Sequence, residues 1–258
     1  MIIRNNQNGY GNDGLTSAIV TAEPLVKWDG RIEEWWFIDE SVNHNYWKLV
    51  YDRTTRPVKT STGAKFDRFG WLFQSLEPNY LAVGTRSPYY DYMFDIEEIS
   101  YTFDCWLRFH LNNSAIYADA THIFGFYTDE YTYNTCYLTY DGTTVTLNYG
   151  ISVGGGGEWL NLNTDITAYV NNSTYINIRV TRNSFGMSSS AFKLYINGEE
   201  MDTGVLIADL PAQTAPLFIG IRYVTTNAVA AFYCDDFRFS RGIARNGMSE
   251  FTTPNRGF

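Results

Sequence analysis

Closely spaced carboxylates are the first residues in this sequence that could act in catalysis. Hydrolysis of a glycosidic bond with retention needs two carboxyl groups about 5 Å apart, and a spacing such as E-x-D-x-x-E on one strand supplies them on one face. Two runs come near it, DIEE at 95–98 and EEWWFID at 33–39. The first has the wrong order and precedes a strand, and the second fits no better. The sequence therefore predicts no catalytic residues.

A cation site is the second kind of chemistry to consider. Asp235 and Asp236 are candidate ligands because Ca²⁺ prefers carboxylate oxygens. Neighbouring strand residues point to opposite faces, so both side chains can chelate one ion only at a bulge. We therefore expect no cofactor, with calcium as the open alternative. Three cysteines and three histidines, without a CxxC spacing, predict neither a zinc cluster nor a disulfide framework.

Aromatic side chains are the best candidates for binding. Tyr131 and Tyr133 lie in a tyrosine-rich segment at 127–133, and Trp159 follows the glycine run at 154–157. Aromatic rings offer flat apolar faces with a polar edge, which suit stacking on sugars or on protein partners. The alternative is that these rings only pack against their neighbours. The glycine run lacks the Lys-Ser/Thr of a phosphate loop and is interpreted as a flexible connection.

Alternating hydrophobic residues predict that these candidates are carried by β-strands. Residues 101–111 (YTFDCWLRFHL) alternate with a period of two, as expected of a strand with one buried face, and residues 176–182 and 217–223 do the same. Asp141-Gly142 and Asn197-Gly198 each follow a hydrophobic run and predict hairpins with type I′ turns. Helical periodicity is almost absent.

Composition limits the class of partner. The 258 residues are 45% hydrophobic and 17% aromatic, which is ample for a packed core, and the net charge is −9. A phosphate backbone would be repelled by this charge, so we expect no nucleic-acid partner. No apolar stretch is long enough for a membrane helix, and the N-terminus lacks the apolar region of a signal peptide. We therefore expect folding in a host cytoplasm and no membrane partner.

Several segments, in a fixed order, resemble the laminin-G-like, concanavalin A-like domain. The resemblance covers about three-quarters of the chain, residues 64–258. The strand-like pieces are WLFQ at 71–74 with NYLAV at 79–83, SYTFDCWLR at 100–108, YINIRVTR at 175–182, KLYING at 193–198 and LFIG at 217–220. The closing pieces are CDDFRFSRGIAR at 234–245 and FTTP at 251–254, and they are similar to modules of tailed-bacteriophage virion proteins.

This resemblance implies an all-β fold, an antiparallel two-sheet sandwich of the jelly-roll type over residues 61–258. It also implies a non-enzymatic virion structural protein, either decorating the capsid or serving as a tail-associated adhesion module with a carbohydrate-binding surface. Its partners would be other capsid or tail subunits, in an oligomeric arrangement, and host-surface polysaccharide. A free carbohydrate-binding lectin is the alternative function, and a glycan hydrolase is the third.

The first 60 residues match no part of the resemblance. We expect residues 1–30 to be an extended arm, because they are polar and show no firm periodicity. Leu25 and Trp28 are the candidate residues through which this arm docks onto a neighbouring subunit. The sequence thus predicts an arm or small annex at 1–60 followed by the sandwich.

Overall fold

The computed structural model describes the backbone in fourteen stretches and most of their side chains from residue 99 onward. The described residues are 17–24, 35–39, 46–51, 58–60, 70–74, 79–83, 99–109, 121–127, 131–154, 158–185, 189–210, 217–220, 231–242 and 244. Nearly all of them lie in antiparallel β-strands. The strands form two sheets, which confirms the predicted antiparallel sandwich.

Sheet A has the strand order β4-β5-β16-β7-β12-β13-β14. Its strands are β4 (Val58–Thr60), β5 (Gly70–Gln74), β7 (Tyr101–Phe109), β12 (Ile176–Ser184), β13 (Ser190–Ile196), β14 (Glu199–Leu206) and β16 (Ala231–Arg241). Strand β14 lies at one edge of this sheet.

Sheet B has the order β11-β10-β9-β8-β15-β6-β3-β2. Its strands are β2 (Trp35–Asp39), β3 (Tyr46–Tyr51), β6 (Asn79–Val83), β8 (Thr121–Tyr127), β9 (Tyr133–Tyr140), β10 (Val145–Ser152), β11 (Glu158–Asp165) and β15 (Leu217–Ile219). A five-residue helix, α1 (Thr167–Asn171), follows β11. The sequence pattern did not predict this helix, which is too short to show a helical period.

Strand β1 (Ser17–Pro24) joins the two sheets. Its first three residues pair with β16 in sheet A, and the residues from Val20 onward pair with β2 in sheet B. This pairing differs from the expectation that residues 1–30 form an extended arm outside the sheets, since a pairing partner over 200 residues away leaves no trace in local periodicity. The division at residue 60 and the docking role of Leu25 and Trp28 stay predictions, because those two residues lie outside the described part of the chain.

The core lies between the sheets and is built around rings from β7, β8 and β16. The Phe103 ring is 4.8 Å from the rings of Phe124 and Phe239 and 5.7 Å from that of Phe126. All four side chains are buried. Since burial of a phenylalanine stabilises the fold by about 1.5–3 kcal/mol, this cluster accounts for much of the attraction between the sheets.

Strand β7 confirms the predicted alternation and corrects one part of it. Tyr101, Phe103, Cys105, Leu107 and Phe109 are buried in the core as predicted. The opposite face was expected to be exposed, but Thr102, Asp104 and Trp106 are also buried. Alternation reports which residues are apolar, and it cannot reveal that polar side chains on the other face have partners in a distant strand. Strand β12 buries Ile176, Ile178 and Val180 as predicted.

The two predicted turns have different outcomes. Asn197 and Gly198 have φ values of 52° and 89° and connect the paired residues Ile196 and Glu199, which confirms a two-residue turn with the positive φ angles of type I′. The turn type predicted at Asp141 was wrong. It has four residues between Tyr140 and Val145, and only Gly142 of the Asp-Gly pair has a positive φ.

The free edges of the two sheets close against each other. The Asp202 carboxylate of β14 accepts a hydrogen bond of 2.8 Å from the Asn163 backbone N–H of β11. A Cβ built at Gly204 would lie 2.6 Å from Leu160 Cδ1, so the leucine side chains of β11 pack directly against this glycine and would have to shift for a larger residue. This contact places β11 and β14 side by side at one edge of the sandwich.

Candidate functional site

Three strand ends meet to form the candidate binding corner. Ser152, the last residue of β10, is paired with Tyr133 on β9 and with Glu158 on β11, where the ladder has a bulge. The Ser152 hydroxyl donates a hydrogen bond of 2.8 Å to the Tyr131 carbonyl oxygen. Tyr131, Tyr133 and Trp159 therefore lie at or next to the adjoining ends of three neighbouring strands, and we call these three residues the aromatic corner.

The rings of the aromatic corner differ in exposure. Tyr131 is 56% exposed, Trp159 is 43% exposed, and Tyr133 is half-buried. Exposure of large rings to water is unfavourable, and rings at the end of a rigid sheet have already lost much of their conformational freedom. Tyr131 and Trp159 are therefore not buried in the core, and part of each ring is open to solvent. Whether these rings bind a ligand or only pack against their neighbours stays a prediction.

A second hydrogen bond fixes the loop that carries Tyr131. The Gly154 backbone N–H donates to the Thr132 hydroxyl at 3.3 Å, and Gly154 itself has a φ of 70°. This glycine begins the run interpreted as a flexible connection, and it is exposed at the position where β10 ends. Residues 155–157 lie outside the described part of the chain.

A buried polar cluster lies between the two sheets, next to the aromatic corner. The Tyr101 hydroxyl lies 2.9 Å from the Tyr149 hydroxyl and accepts a 2.7 Å hydrogen bond from the Asn134 side-chain amide. Burial raises the pKa of Tyr101, with Arg182 opposing that rise, and burial lowers the pKa of Arg182. Because Tyr101, Asn134 and Arg182 are almost fully buried, they hold the two sheets in register next to the corner and do not face a ligand.

Arg182 was not expected from the sequence. It occupies a position on β12 that alternation assigns to the core, after Ile176, Ile178 and Val180. Its Nε donates a 2.9 Å hydrogen bond to the Ser190 hydroxyl, and its guanidinium carbon lies 5.8 Å from the Tyr101 ring centroid. An arginine in phase with apolar residues was the available signal of a buried cation.

A buried ion pair lies on the outer face of sheet A. The Asp104 carboxylate accepts hydrogen bonds from Arg179 Nε at 3.1 Å and from the Asn177 side-chain amide at 2.8 Å. All three residues are at most 5% exposed. A carboxylate held in this way by two partners has a structural role, and it is not placed to act as a glycosidase acid or nucleophile. The nearby Trp106 faces away from the core, as expected, but is buried.

The remaining candidate residues are only partly described. The runs at 33–34 and 95–98 lie outside the described residues, and the side chains of Asp235 and Asp236 are not described either. The ladder between β16 and β7 does shift register after Asp235, so the bulge that a shared cation would require is present in the backbone. Among the described residues, no three His, Cys, Asp or Glu side chains converge as metal ligands.

The three thiols add no further site. Cys105, Cys136 and Cys234 are buried and reduced, and burial raises the pKa of Cys105 and Cys136. Such thiols are unreactive at neutral pH. Strands β2 and β3 contain Trp35, Trp36 and Trp47, whose side chains are outside the described set. No helix in the described portion is long and apolar enough to cross a membrane.

Large exposed apolar side chains beyond the aromatic corner were missed by the sequence analysis. Phe185, Val205 and Ile207 are 64%, 60% and 82% exposed. Val205 and Leu206 are adjacent apolar residues of β14, and the sequence does not show which of the two is exposed. The exposure of Val205 depends on the position of β14 at the sheet edge.

Comparison with solved structures shows the same fold in several toxin domains. The receptor-binding domain of botulinum neurotoxin type G matches with a TM-score of 0.54 and 11% identity, over 90% of this chain and 49% of that chain. The binding domain of Paraclostridial Mosquitocidal Protein 1 matches with a TM-score of 0.56 and 15% identity, over 89% and 50%. The binding domain of botulinum neurotoxin serotype D gives 0.55 and 11%, over 90% and 49%.

The chain thus spans about half the length of these structures, and at such low identity the likeness is one of fold. No curated protein sequence matches the chain. Residues 89–245, more than half of the chain, match the family described as the concanavalin A-like lectin/glucanases superfamily. This match includes β7 to β14, the whole aromatic corner and the buried polar cluster beneath it. The chain belongs to the concanavalin A-like lectin/glucanases superfamily.

Proposed function

We propose that this domain is a non-catalytic, lectin-type binding module and that its aromatic corner holds a sugar. The observation that carries the proposal is the convergence of Tyr131, Tyr133 and Trp159 at the end of β10, with two of the rings exposed. The apolar C–H faces of a pyranose stack on such rings, and tyrosine and tryptophan side chains also carry polar groups of the kind that bond to sugar hydroxyls. Membership of a superfamily that contains lectins supports this reading.

The absence of catalysis is part of the same proposal. The described carboxylate that is buried, Asp104, is held by Arg179 and Asn177, and the exposed carboxylates Asp141 and Asp165 bond to nearby backbone N–H groups. These hydrogen bonds give all three carboxylates a partner in the protein, and the Asp104 carboxylate is buried, so it is not placed as one of the two carboxyl groups that a retaining glycosidase uses. We expect no release of reducing sugar from β-glucans, alginate or capsular polysaccharide. Release that disappears when one carboxylate is changed to its amide would contradict this part.

The biological setting that we propose is a bacteriophage virion. The closing segment at 234–245 resembles modules of tailed-phage virion proteins, and this resemblance is the support for a capsid-decorating or tail-associated adhesion module. Such a module would bind capsid or tail subunits on one side and host-surface polysaccharide on the other. The toxin domains of similar fold include one described as receptor-binding, which is consistent with a surface-recognition role.

A free lectin is the alternative setting, and sedimentation of particles separates the two. If the protein is a virion component, an antibody against the domain should label particles purified through a density gradient. A domain that stays in the soluble fraction while binding glycans would support the free lectin. Both settings share the sugar site, which is tested independently.

Glycan-array screening of the purified domain, followed by calorimetry on the strongest binder, tests the sugar site. Trp159→Ala and Tyr131→Ala should each weaken binding at least tenfold, about 1.4 kcal/mol. Met201→Ala is the matched control, because Met201 is also an exposed apolar residue but lies near the other end of β14. If Met201→Ala weakened binding as strongly as Trp159→Ala, the corner would not be the site.

A further inference from the structure

The edge strand β11 presents a row of exposed side chains on the outer face of sheet B. Leu160 and Leu162 of this strand are buried in the core. Because side chains alternate along a strand, Trp159, Asn161 and Asn163 point away from the core, and all three are exposed. We call these three residues the β11 row.

The β11 row is longer than one sugar ring. Strand residues rise about 3.3 Å each, so Trp159 and Asn163 lie about 13 Å apart along β11. The row begins within the aromatic corner, to which Trp159 belongs, and continues from there along the strand. A single pyranose stacked on Trp159 would therefore leave Asn163 in water.

Asparagine is an unfavourable residue for a strand unless its side chain has a role. Asparagine is depleted in β-strands, where β-branched and aromatic residues are preferred. Asn148 of β10, which pairs with Asn163, has a structural role: it is buried, and its side-chain amide donates to the Thr139 hydroxyl at 3.0 Å and the Thr146 carbonyl at 3.1 Å.

The two asparagines of the β11 row are exposed instead. Together with the exposed Trp159 ring, they run against the preferences of a β-strand at three alternate positions. Such local disagreement with the fold is typical of functional sites. The β11 row is therefore a candidate extension of the sugar site.

The β11 row combines two kinds of contact that suit a glycan chain. The Trp159 ring has a flat apolar face on which a pyranose stacks. Each asparagine amide offers one acceptor oxygen and two N–H donors without a net charge, which matches the hydroxyls of a sugar. Asn161 pairs across the ladder with Gly150, so no side chain of β10 rises beside it. A chain can approach the sheet closely there.

The charges along β11 favour a neutral chain. Asp165, two residues after Asn163, is exposed, and hydrogen bonds from the hydroxyl and the backbone N–H of Thr167 lower its pKa. Acids at positions 129, 130 and 158 are neighbours of the aromatic corner in the sequence, although their side chains lie outside the described set, and the net charge of the chain is −9. This negative charge opposes binding of an acidic polysaccharide.

We infer that the ligand is an internal stretch of a neutral polysaccharide, whose sugar units lie along the β11 row from Trp159 to Asn163. One unit stacks on Trp159, and hydroxyls of the following units bond to the side-chain amides of Asn161 and Asn163. This inference rests on the proposed sugar site and adds the class of glycan that the site takes. A single terminal sugar would occupy only the aromatic corner.

Calorimetry with sugars of different length tests the inference. The probes are glucose, mannose and N-acetylglucosamine, the β-1,4-linked tetrasaccharide of each, and tetragalacturonate as an acidic chain of equal length. At least one neutral tetrasaccharide should bind about tenfold more tightly than its monosaccharide, because the additional units form hydrogen bonds with the two asparagines. Tetragalacturonate should bind more weakly than that tetrasaccharide.

Variants separate the two asparagines from the aromatic corner. The double variant N161A/N163A should bring the affinities for the tetrasaccharide and the monosaccharide to within about threefold of each other. N161T/N163T, which restores strand propensity, repeats the test in a second variant. The control is Asn171→Ala, because Asn171 is also an exposed asparagine but lies in α1, and it should keep the full length gain. Trp159→Ala should weaken binding of both sugars.

Four results would overturn the inference. Equal affinity for every neutral tetrasaccharide and its monosaccharide would leave the sugar site intact and remove the chain. Equal or tighter binding of tetragalacturonate would show that the site does not select a neutral chain. Retention of the length gain in N161A/N163A and N161T/N163T, or its loss in Asn171→Ala, would place the chain elsewhere. Failure of every sugar to bind would overturn the proposed sugar site together with the inference.

Discussion

The two ends of the sandwich differ in how many large apolar side chains they expose among the described residues. At the turn end, which contains residues 140–145 and 196–199, polar side chains bond to the protein's own backbone. Asp141 accepts hydrogen bonds from the N–H groups of Thr143 and Thr144 at 2.9 and 2.8 Å, and Asn197 accepts one from the Asn177 N–H at 2.9 Å. The opposite end, which we call the loop end, contains residues 131–133, 152–154, 158–159, 184–185 and 205–207, and there large apolar side chains such as Trp159 and Ile207 are exposed as well.

This difference separates stability from recognition. The turn end satisfies its backbone groups locally, and such groups stabilise the fold because each would otherwise lose a hydrogen-bonding partner. The loop end keeps apolar surface in water, which gives no stability and is unfavourable unless a ligand covers it. We therefore expect substitutions at the turn end to change the free energy of unfolding, and substitutions of exposed rings at the loop end to change affinity.

The largest effect is expected for a glycine beneath the loop end. A Cβ at Gly125 would lie 2.7 Å from the Asn134 carbonyl oxygen and 2.8 Å from Thr135 Cα, so β8 and β9 would have to move apart. Gly125→Ala should reduce the free energy of unfolding by about 3 kcal/mol or more. The control is Gly142→Ala at the turn end, where φ is +103° but no atom lies within 4 Å.

Gly142→Ala should reduce the free energy of unfolding by only about 1 kcal/mol, because backbone strain is its only effect. Urea denaturation followed by tryptophan fluorescence measures both variants. If the two variants lost equal free energy of unfolding, the close approach of β8 and β9 at Gly125 would not determine stability beneath the aromatic corner.

A smaller effect is expected at the type I′ turn. Gly198 has a φ of 89°, which a β-branched residue adopts only with strain, so Gly198→Val should destabilise by about 1–3 kcal/mol. Glycan affinity of the folded variant should equal that of the wild type, because the turn lies at the far end from Trp159. An unchanged melting temperature would show that the turn tolerates a side chain. A loss of affinity in the folded variant would contradict the separation of the two ends.

The smallest effect is expected from pH at Asp141. Hydrogen bonds from the backbone N–H groups of Thr144 and Thr143 lower the pKa of Asp141 below its ordinary value. Because the folded-state pKa is the lower one, its contribution to stability is present above the unfolded pKa of about 4 and is lost as pH falls through the folded value. Asp141→Asn should therefore show a melting temperature that falls less than the wild type's between pH 5 and pH 2. Parallel curves for the two proteins would contradict this assignment.

Local patterns predicted the strands in which apolar residues alternate with polar ones. The alternation in β7 and β12 assigned their core residues correctly, and Asn197-Gly198 specified its turn, because both signals depend on residues close in sequence. The Asp141 turn was mispredicted since a side chain that bonds to Thr143 and Thr144 stabilises a longer loop than the dipeptide suggests. These partners are only two and three residues away, but a prediction from the Asp-Gly dipeptide alone does not include them.

Features that depend on distant pairing were not predictable. Asp104 is buried on the outer face of β7 because Arg179, 75 residues later, bonds to it. Strand β1 reaches β16 across most of the chain. Tyr131, Tyr133 and Trp159 were named from the sequence, and their binding role stays a prediction. Their placement around Ser152 could not be predicted, because it depends on strand register.

Mapping of chemical shifts in the glycan complex tests the central claim most directly. The measurement is an amide and indole NMR titration of the ¹⁵N-labelled domain with the glycan that binds most tightly. The account predicts shifts at residues 131–133, at Ser152 and at the Trp159 indole, with none at 141–143 or 197–198. Shifts concentrated at the turn end, with Trp159 unaffected, would contradict it.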